Sequence, residues 1–417
     1  MVEIEFSVME NNPDSVNRLR SLLQVFETQN HIRVRLVAVP WSQGWAEIAK
    51  SGIYEHGPDV SEVGTTWIGS LAAMNALRPF TSREVQALGG TGAYFESLWH
   101  TGFLPNDPTP WAIPLTGDLL VLYYLKDALE KAGISDPRTA FSSHSVMLET
   151  LKKLQKIGYL YPLALTTTNQ TRNLHEAAGW IWNAGGDILS PDYKRVIFHE
   201  DAALQGLKNF FSLQPFIPPE SLNVMPASQD LFHSGKSVVL ISGVYPGIVD
   251  RQQYLEMTKC TGIAPTREAT YIGGSSLVIW QYSRHAQEAF ELVRFIASQP
   301  GRIPDSPSFE LPTGEILPKP SIMQDPFYHN YRTRQDWLGP IQPSGAQDQF
   351  YPAYLQALQT GHAFPTVRLW GLVEEKLNRA IANIWEELFA NPAQDIDACL
   401  HKHLDPIAER LNTALGS

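Results

Sequence analysis

Hydrophobic positions change period repeatedly along the first eighty residues. Val2, Ile4, Phe6 and Val8 alternate with Glu3, Glu5 and Ser7, the pattern of a strand with one face in a core. Val16, Leu19, Leu22, Leu23 and Phe26 then recur at helical spacing and predict a helix. Ile32, Val34 and Leu36 alternate with Arg33 and Arg35, and residues 59–63 form a third short strand leading into a helix predicted from Thr65 or Thr66 to Leu77. Strand, helix, strand, helix, strand implies a mostly parallel sheet with helices on its faces. Open sheets of this kind bind ligands beyond the carboxyl ends of their strands. The segments there read Glu10-Asn11-Asn12, Pro40-Trp41-Ser42-Gln43-Gly44-Trp45 and Gly64-Thr65-Thr66-Trp67, expected to be loops.

The texture breaks at Asn106-Asp107-Pro108-Thr109-Pro110-Trp111-Ala112-Ile113-Pro114, whose prolines disfavour helix and mark a boundary. A buried strand over residues 119–124 opens a second module, with a helix through Leu129 closed near Gly133 and another around Ser145 to Ile157. Helical spacing returns at Ala286, Ala289, Phe290, Val293 and Ile296, and again at Leu372, Val373, Leu377, Ala380, Ile381, Ile384 and Leu388. Between them, residues 299–349 are rich in Pro, Asp and Gly and read as long connections carrying short helices.

A chain of 417 residues makes two to three domains at roughly 150 residues each. Its 43% apolar and 18% charged residues describe a globular protein rather than a disordered one. With 43 acidic against 32 basic residues the formal charge is -11, and no basic run exists to neutralise a phosphate backbone, so nucleic acid is not an expected partner. Cys260 and Cys399 are the two cysteines, too few for a disulfide framework or a four-thiolate metal site. The eleven tryptophans change the picture more. Most tryptophans pack in cores; those that recur in strand-to-helix loops beside hydroxyl and amide side chains suit stacking on flat ligands such as sugar rings.

Catalytic motifs are absent. Gly235-Lys236-Ser237 lacks the first glycine of a phosphate loop, because Asp230 stands there. Gly90-Thr91-Gly92 lacks the third glycine of a dinucleotide fingerprint at Phe95. His401 and His403 diverge by about 200° on a helix, too far for one metal, and read as a solvated face. Neither a metal nor another cofactor is expected.

Several ordered segments together resemble extracellular solute-binding proteins of ABC importers, in the carbohydrate-binding class that includes maltose-binding protein. They are Gly57-Pro58-Asp59-Val60 with Gly64-Thr65-Thr66-Trp67 and residues 71–80; Trp111-Ala112-Ile113-Pro114 through residues 122–134; Trp180 to Asp187; Leu231 to Lys236 with Ile241-Ser242-Gly243; and Gly273-Gly274-Ser275 with the helix from Ala286 to Ser298. The chain departs from the family where Trp often follows the Ser-Gly pair: it reads Val244-Tyr245-Pro246-Gly247, so Tyr245 is the nearest equivalent.

The resemblance implies an α/β fold of two lobes, the class II periplasmic-binding-protein type, each a mostly parallel sheet flanked by helices, with a ligand cleft between them. The expected division is 1–115 plus 264–315 for the N-terminal lobe and 116–263 plus 316–417 for the C-terminal lobe. Crossovers are expected near Pro114 to Asp118, near Gly262 to Thr266 and between Ile303 and Pro320. Expected ligand residues in the first lobe are Glu10, Asn11, Trp41, Trp45, Thr65 and Trp67. Asp118, Trp180, Trp182 and Tyr245 join them, with Gly274, Ser275 and Trp370 from the return segments. Of Trp180 and Trp182, one is expected in the cleft and one in packing. The implied function is capture of a mono- or oligosaccharide by hinge closure and its delivery to an ABC permease, by a monomer that is not an enzyme. Two rivals stand beside it: the sugar-sensing module of a cytoplasmic regulator, and a carbohydrate-active enzyme. The expected location is the periplasm or the cell surface, through a lipid anchor, although Met1-Val2-Glu3-Ile4 has no basic and apolar leader pattern. The cytoplasm is the alternative.

Overall fold

A computed structural model describes residues 1–10, 13–137, 139–167, 172–219, 227–243, 260–265, 269–298 and 350–415. Asn11, Tyr245, the connections over 299–349 and the crossover expected between Ile303 and Pro320 lie outside the described residues. The chain divides into two compact units. The first takes Met1–Asp118, Ile272–Pro343 and Ala363–Gly371; the second takes Leu119–Tyr271, Ser344–His362 and Leu372–Ser417.

The first unit is built on β1 (Val2–Glu10), β2 (Ile32–Pro40), β3 (Val60–Gly64), β4 (Leu77–Arg78), β5 (Ile113–Leu119) and β10 (Ile272–Trp280). Strand order is β2-β1-β3-β10-β4, with β5 also paired to β10. The alternation in β1 plays out as predicted: Ile4, Phe6 and Val8 enter one core with Phe26, Val60, Leu277 and Ile279. Met9, of opposite parity, joins Val39, Ile48, Val63, Val278 and Trp280 in a second core on the other face. Helices α1 (Pro13–Asn30), α2 (Trp41–Tyr54) and α3 (Ile68–Ala73) connect the leading strands. The helix expected to reach Leu77 stops at Ala73 because Asn75 turns left-handed at φ 53°, and Leu77–Arg78 then pairs with β10 instead.

The second unit carries β6 (Val121–Leu125), β7 (Leu163–Ala164), β8 (Val239–Ser242) and β9 (Thr261–Pro265) in the order β7-β8-β6-β9. Here the expectation of mostly parallel sheets needs correction. In the first sheet β1, β2 and β3 are parallel, but β10 runs antiparallel to β3 and β4. In the second, β6 is antiparallel to both β8 and β9, and only β7 and β8 among these pairs are parallel. Neighbours become parallel when a helix crosses directly between them; β10, the strand on which the chain returns from the second unit, is not joined to β3 in that way.

The division also differs in detail from the expected one. β9 pairs with β6 whereas β10 pairs with β3, so the first unit resumes at Ile272. Ala363–Gly371 belongs to the first unit because Ser70 Oγ donates to the Arg368 carbonyl at 2.9 Å and Thr366 Oγ1 donates to the Thr101 carbonyl at 3.3 Å. Among the described residues no helix is long and apolar enough to cross a membrane.

Candidate functional site

β1 and β2 are in parallel register from Val2↔Ile32 to Glu10↔Pro40, so their carboxyl ends finish level. Immediately beyond them the expected loop is helix: α2 begins at Trp41, after Pro40 in an extended conformation. Pro40 holds its own φ but leaves the next residue free to be helical, which the sequence reading passed over. Trp41 and Trp45, four residues apart, therefore share one face of the first turns. Both rings remain well exposed, at 37% and 39%. Beyond β3, Thr65–Trp67 is a single 3-10 turn rather than a loop, and it delivers the half-buried Trp67 to both: ring centroids lie 5.7 Å from Trp41 and 5.9 Å from Trp45, tilted by 58° and 51°. Thr65 itself is buried.

Two glycines make room for the Trp67 ring. A Cβ on Gly44 would stand 2.8 Å from its edge, and one on Gly64 would stand 3.3 Å from its fused bond. The ring thus lies against the backbone of α2 on one side and the end of β3 on the other, with its inner edge on the Met9–Trp280 core. The result is a supported cluster of three indoles, two of them on exposed residues.

In the same unit is a carboxyl group that the sequence reading missed. Glu62, in β3, is buried, accepts the Met9 N–H at 2.9 Å and is hydrogen-bonded to Ser275. Burial pushes its carboxyl above the ordinary value of 4.5, while the Ser275 and Met9 hydrogen bonds pull the other way. Its signal in the sequence was an acid between the buried valines of a short strand, Val60 and Val63. Ser275 also shares a hydrogen bond of 2.9 Å with Thr116 Oγ1 and is buried. Gly274 lets β5 approach: its φ is +136°, and a Cβ there would stand 2.1 Å from the Thr116 carbonyl oxygen. Glu10, the last residue of β1, and Asp118, in β5, are half-buried. Trp370 is 0% exposed, its ring 4.6 Å from Phe364, so its face offers nothing to a solute in this conformation.

In the second unit the helix Asn173–Asn183 places Glu176, Trp180 and Asn183 along a small concavity also walled by Phe141, Ile241 and Tyr271. Trp180 is mostly packing: 8% exposed, edge-on to His144 at 6.0 Å and tilted on Phe210 at 5.9 Å. Asn183 is occupied in holding Ala269, accepting its N–H at 3.2 Å and donating to its carbonyl at 2.6 Å. Trp182 is half-buried, lies 5.3 Å from the His362 ring and donates Nε1–H to Asp187 at 3.1 Å. Both cysteines are free thiols, Cys260 exposed and Cys399 buried.

The family model described as bacterial extracellular solute-binding protein matches residues 21–303, more than half of the chain. A Brucella abortus (strain 2308) protein named as a binding protein is 20% identical over 305 residues, covering 70% of this chain and 72% of its own. Among solved structures, the sugar-binding protein MalE of Xanthomonas citri aligns with a TM-score of 0.76 at 20% identity, covering 99% of this chain and 97% of that one. Maltose-bound MalE3 of T. maritima aligns with a TM-score of 0.75 at 16% identity, covering 99% of this chain and 100% of that one. The fold is that of the two-lobe periplasmic binding proteins.

Proposed function

Because the chain belongs to the bacterial extracellular solute-binding proteins, we propose that its solute is a carbohydrate, held on the Trp41–Trp45–Trp67 plate and delivered to an ABC importer. The plate is the observation that carries this reading. Trp41 and Trp45, exposed by 37% and 39% at the carboxyl ends of parallel strands, are costly to leave in water, and indole rings match the apolar C–H faces of a sugar ring. Glu10 and Asp118, half-buried in the same unit, offer carboxylate acceptors for hydroxyl groups. Unpaired polar groups then penalise a sugar of the wrong stereochemistry.

The structural relatives support the same class: one is a sugar-binding protein and another holds maltose. Lobe closure on the solute, which the resemblance implies, belongs to this proposal and is read as a fall in radius of gyration when sugar is added. We place the protein outside the cytoplasm, as a monomer that presents its loaded form to a permease and performs no chemistry. Isothermal titration with a panel of mono- and oligosaccharides, followed by product analysis, tests the reading. Saturable binding without turnover supports it. Turnover moves the protein to the carbohydrate-active enzymes, and a panel without any ligand removes the carbohydrate.

A further inference from the structure

The last two helices, Trp370–Ala390 and Ile396–Leu415, bring three different donor side chains together. Cys399 and His403 are four residues apart, so they share the helix face that His401 and His403 cannot share. Glu387 meets them from the other helix: His403 Nε2 is 2.8 Å from Glu387 Oε2, and one ligand atom from each of the three lies within 4.8 Å of the others. The thiol is buried, while the imidazole and carboxylate side chains are 18% and 23% exposed, so the trio has a sealed floor and a solvent side. Lys402 Nζ, on an exposed side chain, donates to the same Glu387 oxygen at 2.7 Å. Pro406, inside the second helix, has no N–H for the Lys402 carbonyl and loosens the turn beside the cluster.

We propose that Glu387, Cys399 and His403 form a binding site for a borderline dication, Zn²⁺ first among them. Thiolate, imidazole and carboxylate are the donor classes Zn²⁺ takes, at about 2.3, 2.0 and 2.1 Å. Tetrahedral ligands then stand roughly 3.3–3.8 Å apart, so metal binding opens the 2.8 Å His403–Glu387 contact and adjusts the other separations, all within 4.8 Å, by side-chain rotation. Without metal, the Lys402 ammonium balances Glu387. On binding, the dication takes over that carboxylate, the Cys399 S–H proton passes to solvent, His403 binds as neutral imidazole, and water fills the fourth position on the open side. Carboxylate and thiolate together neutralise the ion. The site bridges the two helices and is independent of the carbohydrate reading.

The test uses the full chain without a histidine tag, stripped by a chelator and titrated with Zn²⁺, then with Co²⁺ as a spectroscopic probe. One equivalent should bind, and Co²⁺ should develop thiolate-to-metal charge-transfer absorption. Cys260→Ser should keep that absorption, whereas Cys399→Ser should abolish it. His403→Gln should weaken binding tenfold or more, and Lys402→Gln, which removes the competing cation, should tighten it severalfold. Circular dichroism of the metal-free variants controls for folding; if Cys399→Ser fails to fold, the partly exposed His403→Gln and Glu387→Gln carry the test. Wild-type protein that binds no equivalent, or absorption that survives in both His403→Gln and Glu387→Gln, overturns the site and leaves a helix–helix ion pair in its place.

Discussion

Of the three indoles beyond β2 and β3, Trp41 and Trp45 are exposed, whereas Trp67 is half-buried and also serves the fold. Trp41→Ala and Trp45→Ala remove exposed rings, so each should weaken sugar binding by about 1 kcal/mol or more while leaving the melting temperature nearly unchanged. Trp67→Ala should do both kinds of damage. Its ring supports the other two and edges into the Met9–Trp280 core, so a stability loss of ~1–3 kcal/mol should accompany the loss of affinity in denaturant titrations. Glu62 makes a different prediction. Its folded-state pKa is raised, so the native state binds more protons than the unfolded chain above pH 4.5, and stability falls as pH rises from there to the folded pKa. Glu62→Gln keeps an acceptor for the Met9 N–H and has no proton to lose. Its melting temperature should therefore pull ahead of the wild type's as pH climbs above 4.5; parallel curves would show that Glu62 does not titrate there.

Glycines at strand and helix contacts show how elements are seated. Gly274 entered the reading as a ligand residue, yet its observed work is to let β10 pass the Thr116 carbonyl, where a Cβ would stand at 2.1 Å and φ is +136°. Gly274→Ala should cost at least ~3 kcal/mol, through overlap and backbone strain together, and show as lost soluble yield or a lowered denaturation midpoint. Periodicity placed the helices Ala286–Ser298 and His144–Lys156 almost to the residue, because each has a single apolar face to bury. It failed at Trp41, where a proline-led loop was expected and a helix starts, since Pro in the extended conformation is as suited to a helix entry as to a loop. It also missed Cys399 beside His403, because these donors stand one helical turn apart and their third partner, Glu387, comes from another helix.

Binding couples to the stability of the entire chain by mass action. A sugar at a hundred times its Kd should stabilise the protein by about 2.7 kcal/mol, and the melting temperature should go on rising with the logarithm of sugar concentration. A sugar that leaves the melting curve unmoved at that concentration is not the solute.

Strand and helix periods, the excess of tryptophan and the ordered family segments were legible in the amino-acid sequence, because local backbone preference and side-chain amphipathicity are written residue by residue. That reading reached the two-unit α/β fold and the three indoles near strand ends. Strand direction in the second sheet, the return of Ala363–Gly371 to the first unit, the sealing of Trp370 and the meeting of Glu387 with Cys399 were decided only in three dimensions. Each depends on which distant segments pack together, and the free energy of that choice is spread over many contacts that no single stretch of chain records.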